Sequence, residues 1–238
     1  MTKRNLLTSY KNQEFNQGVI CGIDEAGRGP VLGPMVICGV CFFETELKLL
    51  VDIGVKDSKK LSPKKRSELA KIIKKKCKNY KTIVVSAQEI DAREKKRITL
   101  NRLEEIKMAE IIEALKPNVI YVDAADVNEA RFGKSIQKLL KYSPTKIISK
   151  HKADDLYPIV SASSIIAKDT RDSIIEELKK NYGDFGSGYP SDTRSIEFLR
   201  KWVIEKKKAP LIARKSWETT KKIISEELSN TKITDFVK

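Results

Sequence analysis

The sequence has a single histidine, only four cysteines and no long hydrophobic run among its 238 residues. Four unevenly placed cysteines do not make the framework of a small disulfide-stabilised protein. The N-terminal segment MTKRNLLTSYKNQEF lacks the apolar stretch of a signal peptide, and no window reaches the roughly 18 apolar residues of a membrane span. These absences predict a cytoplasmic protein in a reducing compartment.

Two of the cysteines, Cys38 and Cys41, have the CxxC spacing of many zinc and redox sites. They lie in the run MVICGVCFF, which is typical of a strand, and strand residues at this spacing face opposite sides of a sheet. The sequence has no second CxxC pair. We therefore predict that these two residues, together with Cys21 and Cys77, are small core residues.

Acidic residues are in deficit, because 47 Lys and Arg against 32 Asp and Glu give a formal net charge of +15. A field of this sign attracts polyanions, so nucleic acid is the first partner class to consider. A thermophilic or AT-rich source is an alternative explanation of a lysine-rich composition. The hydrophobic fraction of 40% is enough for a sizeable core, which indicates a globular protein.

Short apolar runs and helical periodicity alternate along the chain. Strands are predicted at 18–24, 35–43, 82–86, 118–124 and 146–150, and helices at about 62–77, 100–115, 127–141, 157–182, 192–205 and 216–228. The first two strands suggest a hairpin around the loop EAGRGPVLGP, and the later alternation predicts parallel pairing. The last two helices form either a small lobe or a lid packed on the core.

The first of these helices begins with the cap and first-turn pair Ser62 and Pro63. Leu69, Ile72 and Ile73 are predicted to form its apolar face, with lysines on the opposite face.

Acidic residues stand at the ends of three predicted strands in this basic chain. Asp24 ends the first strand and is followed by Glu25, Asp123 ends the fourth, and Asp154 comes just after the fifth. Ligands of open α/β sheets bind beyond the carboxyl ends of the strands, so the four acids can converge there. The alternative is that each acid is only a turn former or a helix cap, as most isolated aspartates are.

Four converging carboxylates would raise one another's pKa unless a cation were present, which makes a metal site the economical hypothesis. Oxygen ligands without cysteine or histidine favour Mg²⁺ or Mn²⁺ over zinc. Two such ions, about 4 Å apart, would activate water and stabilise the leaving oxygen of phosphodiester cleavage. Nearby acids rank below these four: Asp57 as a turn residue, Asp169 and Asp172 as solvated or paired helical residues, and also Asp126 and Asp155.

Five segments resemble, in the same order, the motif series of the type 2 ribonucleases H: GIDEAGRGPVLGP, VKDSKKLSPKKR, NVIYVDA, HKADDLYPIVSASSIIAK and YGDFGSGYPSD. The resemblance covers about residues 18–210, and the short helical C-terminus is similar to the archaeal branch. It implies an α/β ribonuclease H-like fold, a mixed five-stranded sheet flanked by helices. We expect a catalytic domain at 1–190 and a short C-terminal helical extension at 191–238.

The resemblance implies hydrolysis of RNA in RNA·DNA hybrids and at single ribonucleotides embedded in DNA, leaving 3′-hydroxyl and 5′-phosphate ends. The family's acidic set falls on Asp24, Glu25, Asp123 and Asp154, the residues already selected by their positions. We therefore expect these four to be both catalytic and metal-binding.

The family's substrate-binding motifs also have counterparts in this chain. The glycine-arginine-glycine motif falls on Gly27, Arg28 and Gly29, whose backbone can approach the ribose 2′-hydroxyl. Tyr189 matches a tyrosine that packs on the sugar, and Lys59 and Lys60 are candidate phosphate contacts. The alternatives are a structural turn for the glycines, a loop anchor for Tyr189 and solvated surface lysines.

Two further features carry weaker predictions. His151, the only histidine, invites assignment as a proton shuttle, but a residue at a strand end is more often a hydrogen-bonded structural one. The tail NTKITDFV has the spacing of a sliding-clamp binding peptide, with Ile233 and Phe236 as anchors. Asn230 and Val237 depart from the residues that this motif prefers, so a frayed tail is the alternative.

Three functional hypotheses remain at this stage. The first is the metal-dependent nuclease, and the second is a catalytically silent module that binds hybrid or structured RNA. The intact acidic positions count against the second. The third is the type 3 branch of the superfamily, which carries an additional N-terminal domain for which only about 17 residues are present before the first strand. A monomer is expected, because no apolar interface stripe is evident.

Overall fold

The computed structural model describes residues 18–55 and 61–234, with side chains up to residue 229. Its described part contains one sheet with the strand order β3-β2-β1-β4-β5. The strands are β1 (Val19–Ala26), β2 (Met35–Phe43), β3 (Asn79–Val85), β4 (Val119–Asp123) and β5 (Lys146–Lys150). Strand β2 is antiparallel to β1 and β3, whereas β4 is parallel to β1 and β5. The sheet is therefore mixed and five-stranded, as predicted.

Helices surround this sheet. They are α1 (Leu47–Asp52), α2 (Pro63–Lys76), α3 (Ala87–Lys95), α4 (Leu100–Leu115), α5 (Glu129–Gln137), α6 (Ala153–Leu156), α7 (Pro158–Tyr182), α8 (Thr193–Lys206) and α9 (Glu218–Thr234). Helices α2, α3 and α4 begin where Ser62, Ser86 and Thr99 accept a hydrogen bond from the amide three residues on. Such caps satisfy first-turn N–H groups and fix where each helix starts.

The two faces of the sheet bury separate hydrophobic clusters. One face packs Val36, Cys38 and Val40 against α2 and α7, and the other packs Ile37 and Cys41 against residues of α4 and α5. The alternation along β2 is the period of two that a strand imposes on its side chains. Cys38 and Cys41 thus face opposite sides of the sheet. Cys21, Cys38 and Cys41 are buried, which confirms the prediction of core residues for these three, whereas Cys77 is only partly buried.

Helix α7 lies unusually close to the central strand. A Cβ atom at Gly22 of β1 would overlap the backbone carbonyl of Ile159, and Ser163 Oγ donates a hydrogen bond of 2.6 Å to the Gly22 carbonyl. Glycine is therefore required at this position because the helix backbone occupies the space of a side chain. This close packing brings the middle of α7 beside the carboxyl end of β1.

The C-terminal helices pack on the core. Leu199 and Val203 of α8 and Ile223 of α9 form a third cluster with Val31 and Leu32, which lie in the loop between β1 and β2. Of the two arrangements left open by the sequence, the structure has the packed one. The boundary at residue 190 stays a prediction, although contacts cross it.

The sequence placed most elements correctly and missed some details. Strand β1 continues to Ala26 rather than ending at Asp24, and the helix expected at 127–141 is the shorter α5. Ile72, expected in the apolar face of α2, is 39% exposed, because only Leu69, Ala70 and Ile73 turn fully towards the sheet. Helices α1 and α3 were not predicted. Among the described residues, no helix is both long and apolar enough to cross a membrane.

Candidate active site

Three aspartates meet at the carboxyl ends of β1, β4 and β5. The parallel pairing of Ile23 with Val122 places Asp24 beside Asp123, and strand alternation puts both on the face covered by α7. Asp123 Oδ1 accepts a hydrogen bond of 2.8 Å from the amide of Ala153, which ties the first turn of α6 to β4. Asp154, the next residue, is only 5% exposed. The predicted convergence is therefore present for these three side chains.

Asp24 lies in an environment that disfavours its charged form. Burial, and then the neighbouring Asp123, raise the pKa of Asp24 from 3.8 to about 7. A hydrogen bond from Ser164 and the charge of Lys168, both on α7, oppose this rise, and Asp154 adds to it. Lys168 Nζ also donates a hydrogen bond of 2.8 Å to Ser164 Oγ. Asp24 thus faces acids across the sheet and a lysine-serine pair on the helix.

Glu25 points to the opposite face of the sheet, towards α4. Burial, and then the charge of Glu104, hold the pKa of Glu25 well above its ordinary value. The Oε2 atom of Glu25 is buried and has no hydrogen-bond partner among the described residues. Glu104 is itself buried, which raises its pKa to about 7. Arg28 opposes this rise, because its Nε donates a hydrogen bond of 2.8 Å to Glu104 Oε1.

The side chains of the acids are not arranged as a metal-binding site in the described part of the chain. In residues 18–55 and 61–234, no group of three or more histidine, cysteine, aspartate or glutamate side chains is arranged to hold an ion. The strand geometry gives a reason, since Asp24 and Glu25 leave opposite faces of β1. Nevertheless, buried carboxylates with raised pKa values and an unpaired glutamate oxygen have the chemistry that a hard divalent cation would satisfy. The metal site stays a prediction.

The glycine-arginine-glycine loop follows directly after β1. Gly27 has a φ angle of +79°, and a Cβ atom there would overlap the Arg171 side chain and lie 2.8 Å from the Pro34 carbonyl oxygen. Both observations require glycine at this position. The Arg28 side chain turns away to Glu104 and Asn101, with Nη2 at 2.5 Å from Asn101 Oδ1. Substrate contact by this residue is therefore expected from its backbone.

A cavity of about 470 Å³ joins this loop to Glu25, the only one of the four predicted acids among its described lining residues. Its walls include Glu25, the whole glycine-arginine-glycine motif, Lys168, Arg171 and Tyr189. Tyr189 is 37% exposed, and its ring lies 5.2 Å from the guanidinium carbon of Arg171. A Cβ atom at Gly29 would be 3.8 Å from Tyr189 Cε1, so the two predicted substrate elements are neighbours across the cavity.

The lower-ranked acids mostly have structural partners. Asp126 is buried and accepts hydrogen bonds from the amide of Asn128 and from the side chains of Asn101 and Arg131. Asp169 pairs with Lys74. Asp172 pairs with Arg66 and also lines the cavity. The prediction of Asp169 and Asp172 as paired helical residues is confirmed.

His151 is held by backbone groups. Its Nδ1 and Nε2 atoms lie 3.3 Å and 3.2 Å from the carbonyl oxygens of Ala124 and Val127, and its amide donates to Glu129. This agrees with a hydrogen-bonded structural residue at a strand end.

Some predicted residues lie outside the described part of the chain. Lys59, Lys60 and Asp57 belong to the undescribed segment 56–60. Phe236 and Val237 of the proposed clamp peptide also lie outside it, whereas the backbone at 230–234 continues α9. The roles proposed for these residues stay predictions.

Sequence reasoning missed four residues that surround the site. Lys168 and Arg171 share one side of α7 with Ser164, and their helical spacing within a basic chain was an available signal. Glu104 was hidden in an amphipathic helix, where a buried glutamate is unexpected. The buried Arg214 had no sequence signal, because it lies in an irregular segment far from the acids in sequence.

Comparisons with known proteins agree on one family. The family profile of ribonuclease HII matches residues 21–220. A curated ribonuclease HII from Methanocella arvoryzae is 50% identical over 208 residues, which is 87% of this chain and 92% of the relative.

Two solved structures are similar as well. The ribonuclease H2 from Pyrococcus horikoshii is 45% identical with a TM-score of 0.84, over 88% of this chain and 99% of that one. The ribonuclease HII in a complex with PCNA from Archaeoglobus fulgidus is 42% identical with a TM-score of 0.77, over 84% and 95%. With a profile match over most of its length and relatives at this identity, the chain belongs to the ribonuclease HII family and is a ribonuclease H enzyme.

Proposed function

We propose that this protein cleaves the RNA strand of RNA·DNA hybrids and nicks duplex DNA on the 5′ side of embedded ribonucleotides, giving 3′-hydroxyl and 5′-phosphate ends. The observation that carries the proposal is the meeting of Asp24, Asp123 and Asp154 at one sheet edge, with Glu25 opening into the cavity of the glycine-arginine-glycine loop and Tyr189. Carboxylates at that edge can hold the metal ions that hydrolyse phosphodiesters. The backbone of the loop can approach a 2′-hydroxyl, which only a ribose has.

The four acids would hold Mg²⁺ or Mn²⁺, two ions in the active complex. Their all-oxygen donor set and the buried, unpaired Oε2 of Glu25 fit hard cations. When bound, such ions supply an activated water and stabilise the leaving oxygen.

Other side chains of the chain bind and orient the substrate. Lys168 offsets part of the negative charge around Asp24 and opens into the cavity, where it can meet a phosphate. The backbone of Gly27, Arg28 and Gly29 approaches the ribose 2′-hydroxyl, and the ring of Tyr189, supported by Arg171, packs on the sugar. Lys59 and Lys60 would contact phosphates of the duplex.

The test is cleavage of a labelled DNA duplex that contains one ribonucleotide, with Mg²⁺, with Mn²⁺ and with a chelator. We expect metal-dependent nicking 5′ of the ribonucleotide by the parent chain and none by Asp24→Asn. Asp155→Asn is the matched control, because this neighbouring acid is exposed and should leave the rate unchanged. Binding without cleavage in either metal would instead support the silent binding module.

We also propose that the C-terminal segment binds a sliding clamp through Asn230, Ile233, Phe236 and Val237. The structure of the Archaeoglobus fulgidus relative is that of its complex with PCNA, and the tail here has the spacing of a clamp-binding peptide. A chain that lacks residues 230–238 should lose clamp binding and keep its activity on short duplexes. Unchanged clamp binding after the deletion would exclude the tail as the contact.

A further inference from the structure

The buried Arg214 has an unusual set of partners. It lies in the segment between α8 and α9, is 0% exposed, and forms no ion pair with a carboxylate among the described residues. Within the described part of the chain, its side chain donates three hydrogen bonds, all to backbone carbonyls: Nη2 to Gly27 at 2.5 Å, Nη1 to Arg28 at 2.7 Å and Nε to Gly33 at 3.0 Å. The guanidinium distributes its donors over three nitrogens in a rigid plane, whereas the three donors of an ammonium come from one nitrogen.

Trp217 extends this arrangement by one residue. Its indole ring lies 5.0 Å from the guanidinium carbon of Arg214, and its Nε1 donates a hydrogen bond of 3.3 Å to the carbonyl of Gly29. Three successive carbonyls, those of residues 27, 28 and 29, are therefore held by one short C-terminal segment. The positive φ of Gly27 allows the turn in which they are all reached from that segment.

The direction of these carbonyls decides the direction of the amides. In a planar trans peptide the C=O and the following N–H point in opposite directions, so fixing the carbonyls of Gly27 and Arg28 turns the amides of Arg28 and Gly29 away from Arg214. In the part of the chain that the structure describes, neither amide donates a hydrogen bond to a protein acceptor. Both residues line the cavity that also contains Glu25 and Tyr189. Two adjacent free N–H groups form a concave site for an acceptor oxygen.

We propose that Arg214 is a positioning residue for substrate recognition, because it orients the peptide planes of the glycine-arginine-glycine loop so that the amides of Arg28 and Gly29 present themselves to an oxygen of the substrate. The oxygen belongs either to the ribose hydroxyl or to a backbone phosphate. This inference rests on the proposed function, since it names a further residue for the same site. It makes the C-terminal segment part of the recognition machinery.

The burial of Arg214 supports a role beyond packing. Burial, and then the nearby charge of Arg171, lower the pKa of Arg214 to about 9. Placing an unpaired cation among peptide carbonyls costs stability, so an arginine here is a poor choice for a purely structural contact. What it supplies is a fixed orientation of three adjacent peptides.

The test compares Arg214→Lys with the parent chain in steady-state cleavage of the single-ribonucleotide duplex, with an all-DNA duplex as competitor. Lysine keeps the charge but lacks the three separate nitrogens that meet these carbonyls, and a misplaced recognition loop should lower kcat/KM by roughly ten- to a hundredfold. An unchanged inhibition constant for the DNA competitor would identify the ribose hydroxyl as the bound oxygen. An inhibition constant that rises in proportion would identify the phosphate.

Arg200→Lys is the matched control. Arg200 also lies in the C-terminal part and also donates hydrogen bonds through its guanidinium group, but its partners are the carboxylates of Glu226 and Glu227 on α9. It should keep the parental kcat/KM, so that a loss in Arg214→Lys alone reports on the loop. If Arg214→Lys does not fold, Trp217→Phe removes only the donor to Gly29 and should show the same pattern with a smaller loss.

The inference is overturned if the folded Arg214→Lys chain, or Trp217→Phe in its place, has the kcat/KM and competitor inhibition constant of the parent. A parent chain that does not cleave the ribonucleotide duplex at all would refute the proposed function, and the inference would fall with it. The two failures are thus distinguished by the parent chain alone.

Discussion

At the scale of single residues, the site carries buried charge that opposes folding. Asp24 is 4% exposed and lies beside Asp123. Its charge is offset in part by Ser164, by Lys168 and by the amide of Glu25, which donates a hydrogen bond of 2.7 Å to Asp24 Oδ1. Groups of this kind persist at functional sites because the chemistry needs them and the rest of the fold supplies the stability. The acids that perform catalysis are therefore expected to destabilise the metal-free protein.

Asp24→Asn should stabilise the protein in a pH-dependent way in the presence of a chelator. The pKa of Asp24 is about 7 in the folded chain against 3.8 ordinarily, so between pH 4 and 7 the folded state binds a proton that the unfolded state releases. The parent chain must then lose stability relative to the variant as the pH rises through this window, by up to about 4 kcal/mol above pH 7. Urea unfolding at pH 4.5 and pH 8 measures the difference.

An exposed acid outside the site supplies the control for this experiment, since Asp52→Asn on α1 should show little pH-dependent difference from the parent. Adding Mg²⁺ should then stabilise the parent more than Asp24→Asn, because a ligand that binds only the folded state shifts the unfolding equilibrium. A stability difference that is the same at both pH values would contradict the assigned environment of Asp24.

At the scale of elements, the loop that carries Tyr189 is held by the first turn of α8. Ser195 is fully buried, accepts a hydrogen bond of 2.9 Å from the amide of Gly188, and donates one of 2.8 Å to the carbonyl of Phe185. The Gly188 carbonyl in turn accepts from the amides of Val31 and Leu32. One serine thus connects helix α8, the tyrosine loop and the loop after β1.

Ser195→Ala should therefore affect both stability and substrate binding. It leaves a buried amide and a buried carbonyl without their partner, which costs about 1–3 kcal/mol, and it frees the loop that positions Tyr189. We expect a lower urea midpoint and a raised KM on the ribonucleotide duplex. Ser173→Ala, which removes an exposed hydroxyl from α7, is the control and should change neither. A parental KM for Ser195→Ala would show that α8 does not position the loop.

The same elements show how far sequence reasoning reaches. Short apolar runs identified all five strands of the described sheet, and strand ends identified Asp24, Asp123 and Asp154, because local patterns determine both. Arg214 was beyond reach, since its partners lie 181 to 187 residues away in sequence. Glu25 was predicted to join Asp24 in the site. Because β1 continues to Ala26, the side chains of Asp24 and Glu25 leave opposite faces of the strand, which the predicted end at Asp24 did not show. Long-range contacts and side-chain directions come from the tertiary fold.

At the scale of the whole molecule, net charge sets how the protein meets its substrate. The chain has a formal charge of +15, and the basic residues Lys168 and Arg171 lie at the cavity itself. When a protein binds a duplex through its phosphates, the affinity depends on the release of counterions. Charge of this kind attracts the protein to any nucleic acid, whereas the loop after β1 is proposed to select among them.

Binding to a hybrid duplex should therefore weaken steeply with salt. If about five phosphates are contacted, raising the salt from 50 to 200 mM should lower affinity by roughly five hundredfold. Fluorescence anisotropy across this range, with an all-DNA duplex of the same length as the comparison, gives both slopes. Nearly salt-independent binding would argue against a groove that follows the phosphate backbone.

The hydrogen bonds of Arg214 to the loop at Gly27 and Arg28 also have a consequence for how the protein is made. During synthesis strands β1 and β4, which carry the acids, leave the ribosome early. They can pair with each other while the C-terminus is still being translated. The loop beside them receives its last supports only when residues 214 and 217 leave the ribosome. In a nascent chain the acids would therefore lie next to a recognition loop that does not yet have its hydrogen bonds from Arg214 and Trp217. On the proposed role of Arg214, selectivity for the substrate is acquired only after the residues on the acids' side of the site have been translated.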